Sequence, residues 1–345
     1  MGLINRTKCK KKYQIIIPLL LILVLITGCG KQFGVEENAN SIAAANENLI
    51  MVGVSQVGSE SVWRTANSAS VQNIFTKENG YFLIFDNARQ KQENQIKAIR
   101  SFISLQVDYI VFSPITEEGW DTVLQEAKDA GIPVILMDRM VKVEDESLYT
   151  AWVGSDFTAE GVNAGEWLAD YLEEEERVEE DINIVVLQGT QGATAVIGRT
   201  TGFDSVANGH HNWKILEQTD AEYTTAKGKE VMKRMLKKYP QIDVVVSQND
   251  DMTFGAIEAI NEAGMTTGVN GDIIIISFDA VKSALEMVQA GILNVDIECN
   301  PKQGEYIEKI IRKLEAGEQV DKYCYIFEQV FTKENVGFYI ANRDY

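Results

Sequence analysis

Five stretches of this 345-residue chain set hydrogen-bonding side chains directly after a short apolar run. The run 50–54 is followed by Ser55-Gln56-Val57-Gly58-Ser59-Glu60-Ser61-Val62-Trp63-Arg64, and the run 134–137 by Asp138-Arg139. The run 184–187 leads to Gly189-Thr190-Gln191-Gly192-Ala193, with Arg199 a turn or two further on. The run 244–247 leads to Gln248-Asn249-Asp250-Asp251, and the run 273–277 to Phe278-Asp279. Hydroxyl groups both donate and accept, so carboxylates, guanidinium forks and amides together suit a polyhydroxylated molecule. Trp63 beside Arg64 serves either as a flat plate for an apolar C–H face or as core filler. Buried charge is costly unless paired. Glu60, Arg64, Asp138, Arg139, Arg199, Asn249 and Asp279 are therefore expected to meet one another and a ligand. Arg199 taken alone fits equally an arginine lying along its own helix, and Asp250 and Asp251 fit helix capping.

Reactive motifs are missing from the sequence. It contains no Gly-x-Ser-x-Gly elbow, Walker loop or dinucleotide fingerprint. His210-His211 is an adjacent pair suited to a surface loop, and no Cys/His spacing resembles a metal site. Paired carboxylates also serve glycoside hydrolysis, but hydroxyl recognition needs them just as much. Binding without reaction, and with neither cofactor nor metal, is the expectation.

The elements that must position these residues alternate. Runs 50–54, 82–85, 109–112 and 134–137 read as buried parallel strands, short and rich in β-branched or aromatic residues. Helical segments lie near 61–79, 91–105 and 117–130; Ile96, Ile99, Phe102 and Ile103 mark one apolar face. Gly131-Ile132-Pro133 closes the third helix. The pattern restarts with strands 184–187, 244–247 and 273–277 and helices near 193–208, 225–239 and 252–263. This predicts an α/β protein of two doubly wound parallel-sheet lobes. Small molecules bind such sheets beyond the carboxyl ends of their strands, where the polar stretches lie. The acidic run before the restart, Glu173 to Glu176 with Glu179, Glu180 and Asp181, reads as a solvated connector. Trp120, Trp152, Trp167 and Trp213 are assigned to packing.

Acidic residues outnumber basic ones 51 to 32, for a formal net charge of −19, which repels phosphate backbones and argues against nucleic acid. The five bases Arg6, Lys8, Lys10, Lys11 and Lys12 precede an apolar run, 15–26, that is too short to span a bilayer. Ile26-Thr27-Gly28-Cys29 then resembles the lipobox of bacterial lipoproteins. That resemblance implies a signal peptide over 1–28 and lipidation of Cys29, anchoring a soluble domain to the extracellular face of the membrane by acyl chains alone. Residues 29–48 read as a flexible tether. Cys299 and Cys324 remain in the body of the chain, and their pairing is left open.

Ser55 through Arg64, Gln90-Lys91-Gln92-Glu93-Asn94-Gln95, Asp138-Arg139, Gly189-Thr190, Asn249-Asp250-Asp251-Met252 and Asp279 occur in this order between about residues 51 and 300. The ordered set resembles the sugar-binding type I periplasmic binding proteins of ATP-binding-cassette (ABC) importers. The Ser-Gln-Val-Gly-Ser-Glu-Ser opening is similar to their galactofuranose-binding branch. The resemblance implies ligand contacts from Glu60, Arg64, Asp138, Arg139, Arg199, Asn249 and Asp279. It implies a monomer that holds a monosaccharide, galactofuranose or a similar furanose or pentose, between lobes joined by three hinge strands. An ABC permease is the implied partner; a sensor showing its closed form to a receptor kinase is the alternative. Hinge crossings are expected near 154–157, 298–300 and 320–327. The first lobe then comprises 49–154 plus 300–320, and the second 155–299 plus 321–345. Val62 stands where the branch has glycine, Gly198 where it has aspartate and Phe278 where it has isoleucine; Val62 is expected to narrow the cleft.

Overall fold

The computed structural model describes residues 49–345, so the leader, the tether and Cys29 lie outside the described residues. Each short apolar run becomes a strand whose successive side chains go to opposite faces. The first half forms β1 (Ile50–Gln56), β2 (Tyr81–Asn87), β3 (Tyr109–Phe112), β4 (Val134–Met137) and β5 (Ala151–Gly154). In β3 and β4 the alternation sorts the core. Ile110, Phe112, Val134 and Leu136 pack with helices α2 (Gln92–Ser104) and α3 (Asp121–Asp129). Tyr109, Val111, Ile135 and Met137 pack on the other face with α1 (Val62–Ile74) and the late helix α9 (Gly304–Glu315).

The second half repeats the plan with β6 (Ile182–Gln188), β7 (Trp213–Asp220), β8 (Val244–Ser247), β9 (Ile274–Asp279) and β10 (Val295–Glu298). Helices α4 (Phe157–Glu174) and α5 (Thr194–Ala207) cover one face; α6 (Thr225–Lys238), α7 (Asp250–Glu262) and α8 (Lys282–Ala290) cover the other. Two short strands complete the sheets, β11 (Tyr323–Tyr325) and β12 (Val330–Thr332). The first sheet runs β11-β5-β4-β3-β1-β2 and the second β12-β10-β9-β8-β6-β7. All pairings are parallel except β10 with β12. In each sheet the first strand lies between the second and the third. The switch in winding direction there opens a crevice at the strand ends.

The chain crosses between sheets after β5, after β10, and between β11 and β12. The last crossing corrects the sequence reading. Residues 321–345 do not all belong to the second lobe: Tyr323, Cys324 and Tyr325 pair with Trp152, Val153 and Gly154 of β5 in the first sheet. A three-residue strand, Tyr-Cys-Tyr, is too short to leave a period in the sequence. The connector at 173–181 is also preceded by a full helix, α4, whose apolar face holds Ala164, Leu168 and Leu172. Helices α4 and α5 meet backbone to backbone, since a Cβ at Gly161 would lie 2.3 Å from the Arg199 carbonyl oxygen and one at Gly202 would lie 2.2 Å from that of Thr158. That close crossing brings Glu160 against Arg199. Cys299 and Cys324 are both free thiols.

Candidate functional site

In the first lobe Ser61 caps α1, its hydroxyl accepting from the Arg64 N–H at 3.0 Å. The cap fixes Arg64 in the first turn, beneath the ends of β1 and β4. Its Nη1 lies 2.7 Å from Asp138 Oδ2 and its Nε 3.1 Å from Glu60 Oε1. Burial pulls the guanidinium's pKa down, but Asp138 and Glu60 together outweigh it and leave it raised. Asp138 follows β4 at φ 63°, a conformation that costs a non-glycine residue on the order of 1–3 kcal/mol. Three contacts hold it there: its N–H donates to Val153 O, its carbonyl accepts from Trp152 Nε1, and Oδ2 accepts from Ser113 Oγ. Ser113 is itself steadied by Gln95, which donates to its carbonyl and accepts from the Ile115 N–H. Arg139 Nη1 donates to Ile115 O at 3.0 Å. Burial, then the neighbouring Arg64 charge, lowers the Arg139 pKa.

The second lobe mirrors this arrangement. Arg199 Nε lies 2.6 Å from Glu160 Oε2, Nη1 donates to Gln248 O, and Nη2 is 3.5 Å from Asp279 Oδ1. Its guanidinium also lies over the Phe278 ring, 4.8 Å from the centroid. Asp279, the last residue of β9, has φ 109°. The strained turn behind it is pinned by two buried carboxylates: Asp250 accepts from the Val281 N–H at 2.8 Å and Asp296 from the Ala280 N–H at 3.1 Å. Burial raises Asp279 well above the usual carboxylate range, against the pull of Arg199. Asn249 is the cap of α7, its Oδ1 accepting from the Met252 N–H at 2.9 Å. Capping by Asp250 and Asp251 is thereby corrected: Asp250 reaches Ser277 and Val281, and Asp251 accepts from the Val62 N–H across the cleft at 3.0 Å.

All eight residues singled out from the sequence, Glu60, Trp63, Arg64, Asp138, Arg139, Arg199, Asn249 and Asp279, line one small cavity. Its wall holds three buried polar atoms with no hydrogen-bond partner: Glu60 Oε2, Arg139 Nε and the Tyr223 hydroxyl. An acceptor, a donor and a group that is both thus face one space, drawn from both lobes. Such atoms are costly to bury unless a ligand completes them. Sequence reasoning missed Tyr223, and also Phe157, Ala195 and Cys299, which share the wall. Tyr223 follows the polar edge strand β7, and a single sequence carries no mark of where its ring goes. The ring fills the space over Gly189, where a Cβ would lie 1.9 Å from it.

A model of the periplasmic binding protein domain matches residues 52–319 of the chain. The chain belongs to the periplasmic binding protein family. Galactofuranose-binding protein YtfQ of Escherichia coli (strain K12) is 42% identical over 270 residues, 76% of this chain and 82% of the relative. A Mycobacterium smegmatis structure in complex with β-D-fucofuranose superposes with a TM-score of 0.81 at 42% identity, over 86% of this chain and 95% of that one. The binding component of the arabinose ABC transporter from Shewanella sp. ANA-3, bound to α- and β-L-arabinofuranose, gives 0.79 at 42% identity, over 85% and 95%. The two-lobed architecture is the type I periplasmic binding protein fold, and its relatives are binding proteins rather than enzymes. No helix among the described residues is long and apolar enough to cross a membrane.

In this binding protein the lobes meet around the cavity. Met140 N donates to Thr194 Oγ1 and Glu117 N to Gly192 O, both at 3.0 Å. The Arg139 guanidinium lies 5.4 Å from the Tyr223 ring centroid. Trp63 lines the cavity, packs with the second lobe's core, and donates from Nε1 to Cys299 O at 2.5 Å. Val62 does not narrow the cavity; its side chain is 44% exposed and stands outside the lining.

Proposed function

We propose that this chain is the substrate-binding subunit of an ABC sugar importer and closes its lobes on a furanose. The supporting observation is the trio of unpartnered atoms, Glu60 Oε2, Arg139 Nε and Tyr223 OH, set among paired charges from both lobes. A ring bearing several hydroxyls can satisfy each of them. Relatives named for galactofuranose, fucofuranose and arabinofuranose support the five-membered ring form. Arg64, Glu60, Asp138 and Arg139 contact the sugar from the first lobe, with Trp63 against its C–H face. Arg199, Asn249, Asp279 and Tyr223 contact it from the second. A ligand that touches both surfaces favours the closed state by its differential affinity for it. The closed form then delivers the sugar to a permease, and the lipid on Cys29 keeps the monomer at the extracellular face of the membrane.

The test is a thermal-shift screen of the processed chain with galactose, D-fucose, L-arabinose, ribose, fructose and glucose. A ligand at a hundred times its Kd adds about 2.7 kcal/mol, a rise of roughly 5 °C or more for a domain pair of this size. The first three are expected to give it. No shift with any sugar at millimolar concentration sinks the reading.

A further inference from the structure

Behind Arg199, at the point where the chain crosses between lobes, lies a buried cluster of which only Cys299 also lines the binding cavity. Each of the three crossings contributes to it: Ser155 from the first, Cys299 and Asn300 from the second, Glu328 from the third. Glu328 Oε1 accepts from Ser155 Oγ at 2.5 Å and from the Asn300 N–H at 2.6 Å. Ser155 Oγ also lies 3.3 Å from Cys299 Sγ. Glu160, from α4, completes the group, its ligand-type atom within 4.8 Å of those of Cys299 and Glu328. One oxygen of Glu160 is used by Arg199; the other, Oε1, is buried without a partner.

The charges do not balance. Arg199 already serves Glu160 and Asp279, and Glu328 has no basic partner among the described residues. Beyond them Glu298 pairs with Arg343 at 2.7 Å and accepts from the Tyr345 hydroxyl, so no cation is free on that side. Two carboxylates and one already shared guanidinium in a dry site require a proton. A metal ion is a poorer fit, since Ser155 Oγ already bonds to Glu328 and the Arg199 guanidinium stands against Glu160.

Resting on the sugar-clamp reading above, we propose that Glu160 and Glu328 share one proton in the closed state, and that this proton positions Arg199 and ties lobe closure to proton uptake. Protonated Glu328 donates to Glu160 Oε1, the atom otherwise left alone, while Glu160 Oε2 holds Arg199 toward the sugar. Rotation of the lobes moves the three crossings against one another and admits water to both carboxylates. In the closed form burial, then the charge of Glu160, pushes Glu328 up to about 9, and burial raises Glu160 despite Arg199. Closure takes up a proton between the ordinary carboxylate range and that value. The gain is complete at low pH and is lost as pH rises toward 9.

The measurement uses the full chain in a detergent free of esters and sugars, with L-arabinose and galactose as probes. Wild type is expected to bind at least about tenfold more weakly at pH 9 than at pH 6, with a slope of up to tenfold per unit. Glu328→Gln keeps the donated hydrogen bond without a titrating group, and its affinity is expected to stay flat over that range. Glu328→Ala, which removes the donor, is expected to bind more weakly than wild type at pH 6 and more weakly than Glu328→Gln at every pH. Infrared spectra at pH 7 with saturating sugar decide the proton in the closed form: a protonated-carboxyl band that is weaker in Glu328→Gln than in wild type supports it. Parallel pH profiles for wild type and Glu328→Gln, or no difference in that band, overturn the proposal. If no sugar binds, the sugar-clamp reading falls and takes the coupling with it, whereas sugar binding with parallel pH profiles sinks the coupling alone.

Discussion

Tyr223 separates binding from folding more cleanly than any charged member of the site. Its hydroxyl is buried, faces the cavity and bonds to nothing in the protein, while burial pushes its pKa up to about 12. Tyr223→Phe therefore removes no intramolecular hydrogen bond. It is expected to leave Tm unchanged or slightly higher and to weaken sugar binding about tenfold, the worth of one hydrogen bond. Calorimetry alongside thermal melts checks this; equal affinity in the variant argues that the hydroxyl does not meet the ligand. Arg64 behaves differently, because Glu60 and Asp138 depend on it. Arg64→Ala strips two buried carboxylates of the guanidinium they share and is expected to cost about 3–5 kcal/mol of stability as well as affinity. The charged residues were legible in the sequence because each follows an apolar run at a strand's carboxyl end. Tyr223 was not, since it follows the half-buried polar strand Trp213–Asp220 and its direction is set by the absent side chain of Gly189.

The elements differ in the same way. Strands with dense apolar runs, such as Tyr109–Phe112 and Val244–Ser247, were readable to the residue. Val295–Glu298 was not, because its alternate positions are Asp296 and Glu298, buried carboxylates that break the apolar signal. Those acids are needed where they are. Asp296 and Asp250 hold the N–H groups of Ala280 and Val281, which fixes the strained turn that presents Asp279. Burial pushes Asp296 up to about 8, and burial with the neighbouring Asp296 raises Asp250, so the pair retains a proton. A carboxyl raised in the folded state holds a proton that the unfolded chain releases, so stability is greatest at low pH and falls as pH rises toward 8. Melting temperatures from pH 5 to 8 are expected to fall more steeply in wild type than in Asp296→Asn, which removes one titrating acid. Matching slopes count against the shared proton.

At the scale of the whole molecule, affinity depends on contacts that never reach the sugar. The Asp251 carboxylate accepts from the Val62 N–H, and Thr194 Oγ1 accepts from the Met140 N–H, both across the cleft and both at 3.0 Å. Neither Asp251 nor Thr194 lines the cavity. The two clasps sit at the starts of separate helices, α5 and α7, so their losses should add. Each is worth about 1 kcal/mol and exists only when the lobes are shut. Removing one lowers the closed fraction of the free protein, and apparent affinity falls in proportion to that fraction. Asp251→Ala and Thr194→Val are each expected to weaken binding about fivefold, and the double variant about thirtyfold, through faster ligand release. Small-angle scattering of the ligand-free variants should show a larger radius of gyration, returning to the wild-type bound value at saturating sugar. Affinities equal to wild type in all three variants mean that the ligand alone sets the closed state. A loss of affinity with no change in scattering means that the two side chains act on the site itself.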